Sequence, residues 1–373
     1  MLICSALTVC TLALASIANS GSTPTAPRPK GFPAQKVPKD NPITAAKAEV
    51  GRRLFYDRRL SGNQTQSCGS CHLQALAFTD GKAQAVGSTG QVHPRGAQSL
   101  VNVGYYATLT WANPALVTLE SQMEVPLFGT NPVEMGITDR NKHAVLRRIE
   151  RDPSYAKQFK RAYPNLRKPI SWTTIIRSIA TFQRTIVSAD SRYDRYTRGK
   201  GTLTASERRG LGIFVGEKGE CSHCHGTFIF SDQATYQGAP DENPQFHNTG
   251  LYNIGGTGAF PANNQGVFAV SGRKKDMGRF KAPTLRNIAL TAPYMHDGSI
   301  KTLSEAVDHY ARGGRLITEG PFAGDGRTSP FKDPLVSGID LSARDKADLV
   351  AFLRTLTDKS LTTNPKLADP FKR

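Results

Sequence analysis

Two short motifs carry the chemistry of this chain. Cys68, Cys71 and His72 stand in CGSCH, and Cys221, Cys224 and His225 stand in CSHCH. Each is a CxxCH, the attachment signature of a c-type haem. Two thiols three residues apart lie on one helical turn, where each can add to a haem vinyl group. The adjacent imidazole then points at the iron. A redox CxxC would use the same thiols, and paired CxxC motifs also hold structural zinc, but neither explains a histidine after each pair. The spacing therefore predicts two covalently bound haems c. His72 supplies one axial ligand to the first iron and His225 one to the second.

The elements that must position these motifs read as a duplicated unit. AEVGRRLFYDRRLSGNQTQSC precedes the first motif and SERRGLGIFVGEKGEC the second, with Gly51 to Phe55 and Gly210 to Phe214 in the same spacing. Each half predicts a short helix, then a loop, then the haem motif. Ile175, Ile176, Ile179, Phe182, Gln183 and Ile186 recur at helical spacing, which predicts a helix over 172–189 with a core-facing stripe. The polar run from Asp190 to Gly201 ends in Gly-Lys-Gly and marks a boundary. The expected architecture is mainly α: two cytochrome c-like haem domains, 45–199 and 200–355, with long irregular loops. The Gly- and Asn-rich segment 238–272 is one such loop. Its Gly255, Gly256 and Gly258 lack the strand–turn–helix context of a nucleotide-binding turn.

The ends of the chain bear on location. Leu2 to Ala18 is almost wholly apolar or small, and ASIANSG over 15–21 offers a cleavage site. This resembles a secretory leader, assigned to 1–22. The expected location is the periplasm, with Cys4 and Cys10 lost on processing. Residues 23–44 read as a flexible lead-in and 356–373 as a C-terminal tail. The leader is too short to span a membrane and no other run of eighteen apolar residues occurs, so a soluble protein is expected. Among the 373 residues are 48 Lys plus Arg and 30 Asp plus Glu, a formal charge of +18. The basic residues form no compact run and no aromatic-basic repeat, which argues against a nucleic-acid groove. Four haem propionates would need cationic partners.

A haem with both axial positions filled passes electrons, whereas one with an open position binds peroxide or oxygen. Candidates for the remaining ligands are His93, His143, His223, His247, His296, His309, the internal methionines and several tyrosines. Spacing alone does not choose among them.

The ordered segments GRRLFYDRRLSGNQTQSCGSCHLQALAFTD, VPLFGTNPVEMG, CSHCH and FKAPTLRNIALTAPYMHDGSIKTLSEAVDHY resemble the bacterial di-haem cytochrome c peroxidase and MauG family. LTWANPALVTLE is most similar to the MbnH-type branch, whose members oxidise a tryptophan on an MbnP-type copper-binding partner to kynurenine. The resemblance implies a peroxide-reacting first haem on His72 and an electron-transfer haem on His225. It implies Trp111 between the haems, and Gln122, Pro126 and Glu134 over the distal face of the first haem, with two residues inserted before the Glu. A buried Glu134 would have a pKa raised toward neutrality and could move a proton between peroxide oxygens. Tyr310 falls where the second haem takes its distal ligand, a Met in conventional peroxidases and a Tyr in MauG-type enzymes; His309 is its rival. Ser88 stands where many members carry a blocking distal His, and His93 is out of register. The family's inter-haem calcium would use Thr291 and Pro293, but Gly96 replaces its Asn, for which Asn102 is the suggested substitute. The implied activity is peroxide-driven oxidation of a partner protein. The alternative is peroxide reduction with electrons from a small donor cytochrome or copper protein.

Overall fold

The computed structural model describes residues 27–240 and 244–372. The leader over 1–22 lies outside the described residues. The chain is helical, with long ordered loops and one small antiparallel pair, Leu316–Ile317 with Gly324–Asp325. No helix among the described residues is long and apolar enough to cross a membrane.

The duplication is visible in atomic detail. Helix Ala45–Tyr56 crosses helix Trp172–Gln183 at Gly51, where an added Cβ would lie 1.9 Å from the Ser178 carbonyl oxygen and 2.9 Å from Phe182 Cβ. Helix Ala205–Val215 crosses helix Ala343–Thr355 at Gly210, where the same atom would lie 2.0 Å from the Asp348 carbonyl oxygen and 2.9 Å from Phe352 Cβ. Only a residue without a side chain allows this approach. Four residues on, the aromatic contacts repeat. Phe55 meets Phe182 at 5.2 Å and Phe78 at 6.2 Å between ring centroids, and Phe214 meets Phe352 at 5.1 Å and Phe230 at 5.9 Å. Edge-to-face and tilted ring pairs of this kind are favourable beyond their area burial. Each half is thus one crossed helix pair with an aromatic cluster under its CxxCH loop.

The helix expected over 172–189 ends at Gln183, although Ile186 is buried as the stripe requires. The chain is captured by Asn102 instead. Asn102 N–H donates to the Ile186 carbonyl at 2.8 Å, and its side chain exchanges hydrogen bonds with the Ser188 backbone at 2.8 and 3.1 Å. The described residues of the loop 238–272 are irregular as expected, apart from a short turn of helix at Phe268–Ser271, yet Phe246, Leu251, Tyr252 and Phe260 bury into the second core.

Two terminal segments are more tightly held than their composition suggests. The lead-in expected to be flexible over 23–44 is packed from Phe32 onward. Phe32 stacks edge-on against Tyr105 and Phe228, Gln35 donates to the Arg184 carbonyl at 2.9 Å, and Asn41 is fully buried. The tail after residue 355 returns to the first half. Leu361 and Leu367 enter the first core, Gln74 donates to the Leu361 and Asn364 carbonyls, and Tyr56 OH donates to the Leu367 carbonyl at 2.8 Å.

Candidate functional site

Both motif histidines are prepared in the same way. His72 follows the single-turn helix Cys68–Cys71 and donates its Nδ1–H to the Phe78 carbonyl at 2.8 Å. His225 ends helix Ser222–His225 and donates its Nδ1–H to the Phe230 carbonyl at 2.9 Å. Phe78 and Phe230 have φ of 61° and 54°, left-handed values that are uncommon for a residue with a side chain. A backbone hydrogen bond of this type sets the tautomer and leaves Nε2 free for a metal. Burial also lowers the pKa of both rings, which keeps them neutral.

The four cysteines of the two motifs are unpaired. Burial pushes the thiols of Cys68 and Cys221 up to about 12 and that of Cys71 to about 11. A redox CxxC needs the opposite, a thiolate favoured near neutrality, so the thiols are poor exchange catalysts.

The second site is an apolar cavity. Leu303, Ala306, Val307 and Tyr310, at helical spacing on helix Leu303–Ala311, line it together with Cys221, Cys224, His225, Met295, His296, Trp111 and Lys281. Tyr310 therefore shares a cavity with His225. Its hydroxyl makes no hydrogen bond within the described protein, and burial raises its pKa, helped by Cys224 and Cys221. His309 turns away. It is 1% exposed and donates Nε2–H to the Thr249 carbonyl at 2.9 Å. The position left open between Tyr310 and His309 thus favours Tyr310, with Met295 also on the cavity wall.

Lys281 gives an independent sign of what this cavity holds. It is 5% exposed, its ammonium donates among the described residues only to the Thr108 carbonyl at 3.2 Å and lies 4.3 Å from the centroid of the Tyr106 ring, and burial pulls its pKa down to about 7. A buried cation without an anion is costly. A haem propionate would supply that anion, so the residues fit the group. His296 is also buried in this wall, stacked on Phe280 at 3.6 Å with its Nε2 unpartnered.

The wall also holds an ion cluster that sequence reasoning missed. His247 lies between Asp232 and Asp333, at 2.6 Å from each. Burial opposes its charge, but the two carboxylates prevail and raise its pKa to about 12. The partners are 15 and 86 residues from it in sequence, so no local spacing reveals them.

Trp111 lines both this cavity and a neighbouring groove, and its Nε1–H donates to the Gly96 carbonyl at 3.0 Å. Gly96, Thr291 and Pro293 line the same groove, which brings the expected calcium positions together. Asn102 does not substitute there, because its side chain is committed to Ser188. The carboxylate in the groove is Asp80, 9% exposed, a residue the sequence reading passed over.

Helix Leu119–Phe128 and the loop that returns beside it carry the residues expected over the first haem. Gln122 and Pro126, one turn apart, are half-buried, with Met123 and Leu127 buried behind them. Met135 N–H donates to the Pro126 carbonyl at 2.9 Å, which ties the segment carrying Glu134 to this helix. Burial raises the Glu134 pKa to about 7, and its charge in turn raises those of Cys68 and Cys71. Glu134 thereby lies close enough to Cys68 and Cys71 for its charge to act on both, with Pro126 beside its neighbour Met135 and Gln122 one turn away on the same helix. Ser88 is buried with its hydroxyl unpartnered, and Ser88 N–H donates to the Glu134 carbonyl at 2.7 Å. His93 is tied by Nε2–H to the Val133 carbonyl at 3.3 Å.

Comparison with known proteins agrees with this geometry. The profile of the family described as di-haem cytochrome c peroxidase matches residues 45–202. The chain is 34% identical to cytochrome-c peroxidase IdrP1 of Pseudomonas sp. strain SCT, over 94% of this chain and 91% of that protein. It is 33% identical to methylamine utilization protein MauG of Methylorubrum extorquens, over 91% and 86%. The crystal structure of a MauG-like protein associated with microbial copper homeostasis superposes with a TM-score of 0.91 at 54% identity, over 92% of this chain and 99% of that one. With conventional peroxidases and MauG proteins both related over nearly its whole length, the chain belongs to the di-haem cytochrome c peroxidase and MauG family of oxidoreductases.

Proposed function

We propose that this protein is a peroxide-dependent di-haem oxidase of the MauG type that converts a tryptophan of an exported, MbnP-like copper-associated partner to kynurenine, and that it works in the periplasm. The observation that carries the reading is Tyr310 on the wall shared with His225, with His309 turned to Thr249. The 54% identity to a MauG-like protein associated with copper homeostasis supports the choice of partner.

In this reading Cys68 and Cys71 hold the first haem and Cys221 and Cys224 the second, each through thioethers. Haem iron, when bound, supplies the two electrons that cleave the peroxide O–O bond. Glu134, with a pKa near 7, takes a proton from the bound oxygen and returns it to the leaving oxygen as water departs. The Gln122 amide orients the peroxide, and Pro126 narrows the pocket. Trp111, fixed by its bond to Gly96, lets the two sites share the oxidising charge. Tyr310 as an anion favours the oxidised form of the second site, whose positive charge offsets the burial that otherwise keeps the phenol protonated. Two peroxide turnovers balance the conversion of tryptophan to N-formylkynurenine with release of two waters, and hydrolysis then releases formate. Calcium at Thr291 and Pro293, with Asp80 in place of the missing Asn, would hold the groove around Trp111.

The test mixes the haem-loaded protein, hydrogen peroxide and the co-exported copper-binding protein, then weighs the partner by peptide mass spectrometry. The expected result is a tryptophan-to-kynurenine mass change that requires peroxide. An unmodified partner, together with rapid peroxide turnover on a reduced donor cytochrome, would favour the peroxidase alternative.

A further inference from the structure

A haem pair that stores oxidising charge needs a way to deliver it to a protein that does not touch the iron. The outer wall of the second cavity holds a tyrosine built for this. Phe260 lines the cavity, and the Tyr252 ring meets it at 5.4 Å. On its other side Tyr252 meets Phe322 at 5.8 Å, and Phe322 is 42% exposed in the turn between strands Leu316–Ile317 and Gly324–Asp325. Trp111 joins the chain from within, at 6.5 Å from the His296 ring, which lies 6.5 Å from Phe260.

The proton partner sets Tyr252 apart. Its hydroxyl donates to Asp297 Oδ2 at 2.6 Å, while Asp297 Oδ1 is held by Ser299 N–H at 3.0 Å. Oxidation of a phenol is unfavourable unless its proton leaves with the electron. Tyr56 and Tyr294 donate to backbone carbonyls, which cannot take a proton. Tyr155 also donates to a carboxylate, Asp57, but Arg59 already binds both Asp57 oxygens. Among the described residues, no arginine or lysine is bound to Asp297. The Arg315 guanidinium, 4.8 Å from the centroid of the Tyr252 ring, disfavours a cationic ring and so makes loss of the proton a condition of oxidation.

We propose that Tyr252 and Asp297 form a redox-active relay that carries oxidising equivalents from the second haem site to the surface at Phe322. The relay deepens the peroxide-oxidase reading and rests on it. In the forward step the Tyr252 O–H bond breaks. The electron passes inward across Phe260 to the peroxide-oxidised haem pair and cancels one of its two oxidising equivalents. The proton moves along the existing hydrogen bond to Asp297 Oδ2, leaving a neutral tyrosyl radical. An electron from the bound partner then restores the phenolate, and Asp297 returns the proton.

The experiment uses the haem-loaded full protein and hydrogen peroxide alone, followed by stopped-flow absorbance and rapid-freeze electron paramagnetic resonance. The wild type should show haem oxidation, then a tyrosyl signal that grows as the oxidised haem spectrum decays. Tyr252→Phe should abolish that signal and slow the decay several-fold. Asp297→Asn, which keeps the ring, should lower the radical yield, and it carries the test if Tyr252→Phe fails to hold haem. An unchanged signal and decay in Tyr252→Phe, or an unchanged yield in Asp297→Asn, would overturn the relay while leaving haem oxidation intact. Absence of haem oxidation in the wild type would overturn the peroxide reading itself.

Discussion

Replacing Glu134 with Gln should slow the reaction with peroxide by about 10²–10⁴-fold, the usual loss when general acid–base help is removed. Both haems should remain attached, because among the described residues Glu134 makes no side-chain hydrogen bond that holds the CxxCH loop. The effect has a pH signature. Burial places the carboxyl near pKa 7, and it must be ionised to accept the peroxide proton. The rate of the native protein should therefore rise through about pH 7 and fall below it, and the Gln variant should lose that rise. Rapid-mixing absorbance across pH measures both. A rate unchanged by Glu134→Gln would move the proton chemistry to another residue.

The second large effect is expected at Tyr310. An anionic oxygen ligand favours the more oxidised iron, and axial ligand identity moves haem potentials across a span of about 0.8 V. Tyr310→Met should raise the second haem's potential by an amount on the order of 0.1 V or more. It should weaken partner oxidation while leaving peroxide reduction in place. Tyr310→Phe should remove the ligand and change the second haem's absorbance spectrum. Spectroelectrochemical titration of the three proteins gives the answer. If Tyr310→Phe leaves both spectrum and potential unchanged, the phenol only packs, Met295 becomes the rival on the same wall, and the conventional peroxidase reading gains.

The parts of the molecule that were legible in sequence are those whose physics is local. Two CxxCH motifs specify their chemistry within five residues, and Gly51 and Gly210 announce a repeated close helix crossing because no other residue fits there. Helix Trp172–Gln183 was legible from its apolar stripe, but its end was not, since Asn102 from another loop terminates it. The order of the lead-in was misjudged, and the packing of the tail was unread, for a related reason. Their Pro- and Lys-rich composition describes solvent affinity, whereas their order comes from single apolar residues, Phe32, Leu361 and Leu367, that find distant cores. Lys281 and the Asp232–His247–Asp333 cluster were invisible because ordinary polar residues become unusual only when folding buries them together. Phe78 and Phe230 could have been found. Each stands five or six residues after its motif histidine, and comparing the two halves would have paired them.

The proposed function predicts an asymmetric pair: His72 alone would hold the first iron, whereas His225 and Tyr310 would both hold the second. Ser88 in place of a blocking histidine, and His93 tied to Val133, support the open side. The most direct measurement is electron paramagnetic resonance of the resting, fully oxidised protein. The predicted result is one high-spin ferric signal from the first haem and one low-spin signal from the second, without prior reduction. Two low-spin signals with no high-spin component would mean that a protein ligand closes the first iron, and would contradict the account.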